Sequence, residues 1–125
     1  MPDYTAKKID EMEAAYGGGF VKVRAELGVT SFGIQVIQLP ADSTDYPEHD
    51  HVEDGQEEVY LALAGSGWID VEGERVELDR DVFVRVGAAA RRKVHSGPDG
   101  LRVLVLGACP DEPYKIKPFS ELGGA

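Results

Sequence analysis

Three histidines and a pair of glutamates hold most of the chemistry available to this sequence. His49 and His51 stand one residue apart in "EHDHVEDGQEEVY" (48–60), and Glu57 and Glu58 follow six residues later. On an extended strand, residues i and i+2 point to the same side, about 6.5–7 Å apart along the chain. Both imidazoles can therefore face one cation. By the same alternation Glu58, Tyr60 and Ala62 share one face of the following strand, and Glu57, Val59, Leu61 and Leu63 the other. A small Ala62 beside Glu58, with bulky aliphatics behind, suits a strand whose Glu58 face lines a cavity. Glu58, not Glu57, is the expected carboxylate. Two imidazoles and one carboxylate with open positions form a donor set for Fe(II), and Mn(II), Ni(II) or Zn(II) also accept it.

Further residues are candidates for the same site. Gln56 is a candidate fourth ligand or pocket-lining donor, with an exposed loop position as the alternative, and Tyr60 is expected as a core aromatic that shares the Glu58 face and can line the pocket. The parity that turns Ala90 inward also turns Arg92 inward, where a guanidinium can clamp a carboxylate or pair with Glu58. His95, beside the basic run "RRK" (91–93), is an extra candidate ligand, although regular alternation aims it outward.

The elements that must position these residues are nearly all strands. A helix is expected over about 5–16, where Ile9, Met12 and Tyr16 form an apolar stripe stopped by Gly17 to Gly19. "FVKVRAE" (20–26) alternates as a strand, "LGVTS" turns, and "FGIQVIQL" (32–39) reads as a second strand. After a polar loop, "EVYLALAG" (58–65) is apolar enough to be buried on both faces. "GWIDVEGERVEL" is a hairpin with Gly73 at its turn. "DVFVRVG", "RRKVH" and "LRVLVLG" complete the set, with "SGPDG" (96–100) as a turn between the last two. Some eight short strands with regular turn signals predict an all-β sandwich or barrel over about 20–109, followed by an extended tail at 110–125.

At 125 residues the chain is one domain's worth. Its net charge of −10 repels phosphate backbones and anionic lipid, so neither nucleic acid nor a membrane surface is an expected partner. Cys109 is the only cysteine, which rules out an intrachain disulfide and suits a reducing, cytoplasmic location. No apolar leader or spanning segment is visible.

"HDH" followed by "EEVYLALAGSGWIDVEGE" resembles the first signature motif of the cupins, small jelly-roll barrels. The family pattern is His-x-His, three or four residues, Glu, six residues, Gly, and Glu58 to Gly65 keeps the last spacing. "DRDVFVRVG" and the basic strand after it are similar to the second motif, so that the resemblance spans about 32–106. Three departures stand out. Six residues separate His51 from Glu58, with Asp54-Gly55 as the expected turn. Arg85 stands where the second motif has proline, and Ala90 where it has a third histidine ligand. The resemblance implies a single cupin domain over 1–125, a cupin-type jelly-roll β-barrel with a short N-terminal helix, and a homodimer. It also implies a divalent metal (Fe, Mn, Ni or Zn) on His49, His51 and Glu58. Oxygenase, isomerase or lyase chemistry on a small polar organic molecule would follow. The loss of the third histidine admits a second implication, a metal-free barrel that binds a ligand or acts as a sensor.

Overall fold

A computed structural model describes residues 2–124. Seven strands form one antiparallel sheet that folds into a barrel: β1 (Ala14–Ala15), β2 (Phe20–Val21), β3 (Gly33–Leu39), β4 (Glu57–Val71), β5 (Glu74–Leu78), β6 (Val84–Val86) and β7 (Arg92–Ala108). Their order in the sheet is β1-β2-β3-β7-β4-β5, with β6 also paired to β4. The expected all-β jelly roll is the observed architecture. The fold is built on the β4/β7 ladder, which runs the length of both strands and gives the barrel its spine.

The two long strands keep their apolar faces inward by changing parity together. Along β4 the buried positions are Glu58, Tyr60 and Ala62, then Gly67 and Ile69; along β7 the buried side chains are Arg92, Val94 and Ser96, then Leu101, Val103 and Val105, with Gly97, Gly100 and Gly107 also buried. The register of β4 shifts twice: between Ala62 and Ala64, opposite Val103 and Arg102, and between Gly65 and Gly67, opposite the segment 97–100 of β7. Extra residues on one strand invert its alternation, and the matching irregularity opposite restores the pairing. "SGPDG" is therefore a bulge inside one continuous strand, not the expected turn between two strands. Gly65 and Gly100 both adopt positive φ here, +77° and +73°, and a Cβ on Gly65 would collide with the Gly100 carbonyl. The interior they enclose is apolar, with Ile37, Ile69, Val94 and Val103 all fully buried.

The N-terminal region departs most from expectation. No α-helix spans 5–16; a 3-10 turn at Ile9–Glu11 leads into β1, and a second at Tyr16–Gly18 precedes β2. Ile9 and Met12 instead lay their side chains on the outer sheet face beside Val21, Val23 and Val36. Pairing of Ala14 with Val21 and Ala15 with Phe20 supplies the backbone bonds a helix would have made. Conversely, the expected strand 20–26 ends at Val21, and α1 (Val23–Leu27) follows. It is capped by Gly28, whose left-handed backbone (φ 78°) returns its N–H to Arg24 and Ala25.

The C-terminal tail folds back across the barrel. Lys22, with 2% of its surface exposed, donates to the Glu13 carboxylate at 2.7 Å and to the carbonyls of Glu121 and Gly124 at 2.8 and 2.9 Å. A buried ammonium with three acceptors fastens both ends of the chain to the sheet. Among the described residues no helix is long and apolar enough to cross a membrane. The bulge gives the first prediction: Gly65→Ala should lower unfolding stability by about 2–4 kcal/mol in chemical denaturation, from positive φ and the clash with Gly100. A loss below about 0.5 kcal/mol would mean that the β4/β7 junction does not need a glycine.

Candidate metal centre

The histidine pair is held in place by backbone pairing to the opposite motif. His49 and Arg92 exchange both backbone hydrogen bonds, at 2.9 and 2.8 Å, and His51 N–H donates to the Ala88 carbonyl at 2.8 Å. This short ladder turns both imidazoles to the same side, as the i, i+2 spacing requires. Glu58 enters from β4 between β6 and β7, opposite Val86 and Gly107. Glu57 points outward, where Arg85 Nε donates to it at 2.8 Å.

The ligand atoms of His49, His51 and Glu58 lie within 4.8 Å of one another. His51 Nε2 is 3.2 Å and His49 Nε2 3.7 Å from Glu58 Oε1. Each ring has its other nitrogen engaged elsewhere: His49 Nδ1 lies 3.1 Å from the Pro47 carbonyl, and His51 Nδ1 2.9 Å from Asp54 Oδ1. In the neutral imidazole a donating Nδ1–H leaves Nε2 as a lone-pair donor, the state a metal ligand needs. His51 Nε2 is buried and faces Glu58 Oε1 alone, without a well-aligned hydrogen bond. These residues fit a divalent cation.

Glu58 is 4% exposed, and Tyr60 Oη donates to its Oε1 at 2.7 Å. Burial alone would raise its pKa. The close approach of His49 and His51 to its oxygen, the charge of His51 and the Tyr60 hydroxyl outweigh it and hold the carboxyl far below the usual range. His51 responds in the opposite sense: burial disfavours its charged form, but Glu58 and then Asp54 raise its pKa above the ordinary histidine value. Tyr60 is pushed up by burial and by the Glu58 charge, so it remains a donor.

Asp54 is the residue that sequence reasoning missed. The expected Asp54-Gly55 turn is there: Gly55 has φ +73° and donates to the His51 carbonyl at 2.7 Å. The Asp54 side chain, however, also faces His51 and accepts from Gln56 Nε2 at 3.1 Å and Lys117 Nζ at 3.1 Å. The Cys109 thiol donates to its carbonyl at 2.9 Å. A carboxylate three residues after a candidate histidine ligand was the available signal.

The cluster opens into a cavity of about 660 Å³, lined on this side by His49, His51, Gln56, Glu58 and Tyr46. Of the expected lining residues, Gln56 is in the wall; Tyr60, Ala90 and Arg92 are not. Tyr60 and Arg92 lie behind Glu58 because their side chains are buried in the barrel, at 2% and 0% exposure. Arg92 Nε is 3.8 Å from Glu58 Oε1, and Nη2 donates to the carbonyls of Val86 and Gly87 at 3.3 and 3.0 Å. Ala90 sits in the turn before β7, half-buried against the core. His95 is not part of the cluster: it stands on the outer face of β7, stacked on Trp68 with ring centroids 5.0 Å apart, its Nε2 2.9 Å from Asp70 Oδ2.

The Asp54 contact yields a prediction for the metal-free protein. Replacing Asp54 by Asn removes a charge that raises the His51 pKa, so the imidazole should titrate at lower pH than in the parent. Histidine ring NMR measures this directly, and an unmoved midpoint would show that Asp54 does not act on His51.

No family model matches the sequence, and no curated protein is similar enough to match it. Solved structures do match. A cupin protein from Bacteroides fragilis is 21% identical, with 94% of this chain and 93% of that one covered at a TM-score of 0.71. A sugar phosphate isomerase from a cupin superfamily, from Silicibacter pomeroyi, is 15% identical over 85% and 76% of the two chains, at 0.68. An RmlC-like cupin protein from Desulfovibrio desulfuricans is 21% identical over 63% and 73%, at 0.55. The bulged β4/β7 spine, the sheet order and these likenesses show that the chain has the cupin fold.

Proposed function

We propose that this cupin holds one divalent metal ion through His49, His51 and Glu58 and uses it to bind and act on a small polar organic molecule. The observation that carries the reading is the convergence of the buried His51 Nε2 and of His49 Nε2 on one oxygen of a carboxylate kept ionised, with the ligand atoms of all three residues within 4.8 Å of one another. Bound there, the ion would supply Lewis acidity to an oxygen of the molecule in the cavity. The chain's own part is positional. Asp54 and the Pro47 carbonyl fix the two rings, and Tyr60 and Arg92 hold Glu58 from behind. With three protein ligands, positions remain open for substrate and water. Fe(II), Mn(II), Ni(II) and Zn(II) all suit the donor set.

A second reading has one specific observation in its favour. The Arg92 guanidinium, beside Glu58, already provides a positive charge where a metal would bring two more. A metal-free barrel that binds a small ligand, with Arg92 and the histidines as counter-charge, is the alternative.

Calorimetric titration separates them. Mn(II) or Zn(II) should bind at one per chain to protein prepared without a histidine tag. His51→Ala should abolish binding, and Asp54→Asn should weaken it about 10–100-fold. Heat of binding absent from the parent at neutral pH would favour the metal-free barrel. The proton that metal must displace sits on His51, whose pKa is raised in the metal-free protein. Below that pKa the affinity should fall about tenfold per pH unit, and above it level off. A flat profile between pH 5 and about 8 would exclude His51 as a ligand.

A further inference from the structure

The cavity extends well beyond the histidines, and its far wall differs in chemistry from the metal side. Phe20, from β2, and Phe119, from the 3-10 turn at Pro118–Ser120, meet edge to face with centroids 5.1 Å apart. Both are half-buried and both line the cavity. Tyr46 continues the aromatic wall toward the metal side, its ring 6.1 Å from that of His49. Edge-to-face aromatic pairs present ring faces and edges on which a further ring can pack.

The cations on the same wall are already committed. Lys22 gives its ammonium to Glu13 and two carbonyls. Arg24 donates to the Val29 carbonyl and Glu121, and Lys117 pairs with Asp54. What remains is Arg24 Nε, one buried N–H without a partner. A phosphate dianion needs several such donors and a net positive field. Here the carboxylates of Glu58, Asp45 and the three partners outnumber the cations, on a chain of charge −10.

We infer that the cavity takes an organic acid with a flat apolar body, its ring against Phe20 and Phe119 and its oxygen donors toward His49, His51 and Glu58, and not a phosphorylated sugar. The oxygen end of this assignment rests on the metal-site reading above; the ring end rests on the aromatic wall alone. The volume agrees: about 660 Å³ is far more than a three-carbon acid fills and ordinary for a ring-bearing ligand.

Three probes titrated by calorimetry, with and without Mn(II), test the assignment: phenylpyruvate, pyruvate and glucose 6-phosphate. Phenylpyruvate and pyruvate share the oxygen head and differ by the ring. Phenylpyruvate should bind at least about tenfold tighter than pyruvate in both conditions, and glucose 6-phosphate no tighter than pyruvate. Phe119→Ala should cut the ring's margin to under about threefold, since that side chain sits on a tail segment outside the barrel core. A phenylpyruvate that binds no tighter than pyruvate, including no binding of either, overturns the inference. So does tightest binding of glucose 6-phosphate, or an undiminished margin in Phe119→Ala. Failure of Mn(II) to tighten any probe counts against the metal reading instead, and the ring's margin still decides the ligand class.

Discussion

Glu58 carries its carboxylate into the barrel with 4% of its surface exposed, and four groups converge on one of its oxygens. Tyr60 Oη lies 2.7 Å from Oε1, His51 Nε2 3.2 Å, His49 Nε2 3.7 Å and Arg92 Nε 3.8 Å. A bare carboxylate moved into an apolar interior costs several kcal/mol even after relaxation, about the whole stability of a small domain. The partners remove that penalty, and they come from separate segments: β4 itself, the 48–51 loop and the start of β7. The carboxylate therefore joins the two motifs as much as it offers a ligand. Arg92, fully buried with Nε and Nη1 lacking hydrogen-bond partners, shows that the compensation is electrostatic more than geometric.

The same arrangement bears on the position where the cupin pattern has a third histidine. Ala90 stands there, in the turn before β7, and Arg92, two residues on, brings a positive charge to the carboxylate. Charge on Glu58 is then held by the protein, while both histidine Nδ1 atoms are tied back to Pro47 and Asp54. The Asp54 link continues outward through Lys117 into the C-terminal tail, so the wall that carries Phe119 is physically connected to the ring of His51.

Much of the site was legible because its signal is short-range. The i, i+2 spacing of His49 and His51 and the parity of Glu58 depend only on strand geometry, and parity likewise placed Arg92 inside and His95 outside. The all-β class followed from strands and turn residues. What failed depended on partners distant in sequence. The Ile9, Met12, Tyr16 stripe has helical spacing, yet the segment gains more by pairing with β2 and covering Val36 than a short isolated helix would. The alternation of 20–26 hid α1, although Gly28 directly after "RAEL" was a readable helix stop. "SGPDG" has every local mark of a turn, and only the matching irregularity in β4 makes it a bulge. Asp54 was hidden differently: its turn role was visible and sufficient, so nothing local called for a second one.

The central claim is that two imidazoles and one buried carboxylate form a metal centre without a third histidine. Anomalous diffraction from crystals grown with Mn(II) tests it most directly. The account predicts a single strong peak within bonding distance of His49 Nε2, His51 Nε2 and a Glu58 oxygen. A peak elsewhere on the surface, or none, with Glu58 still turned toward Arg92, would contradict it.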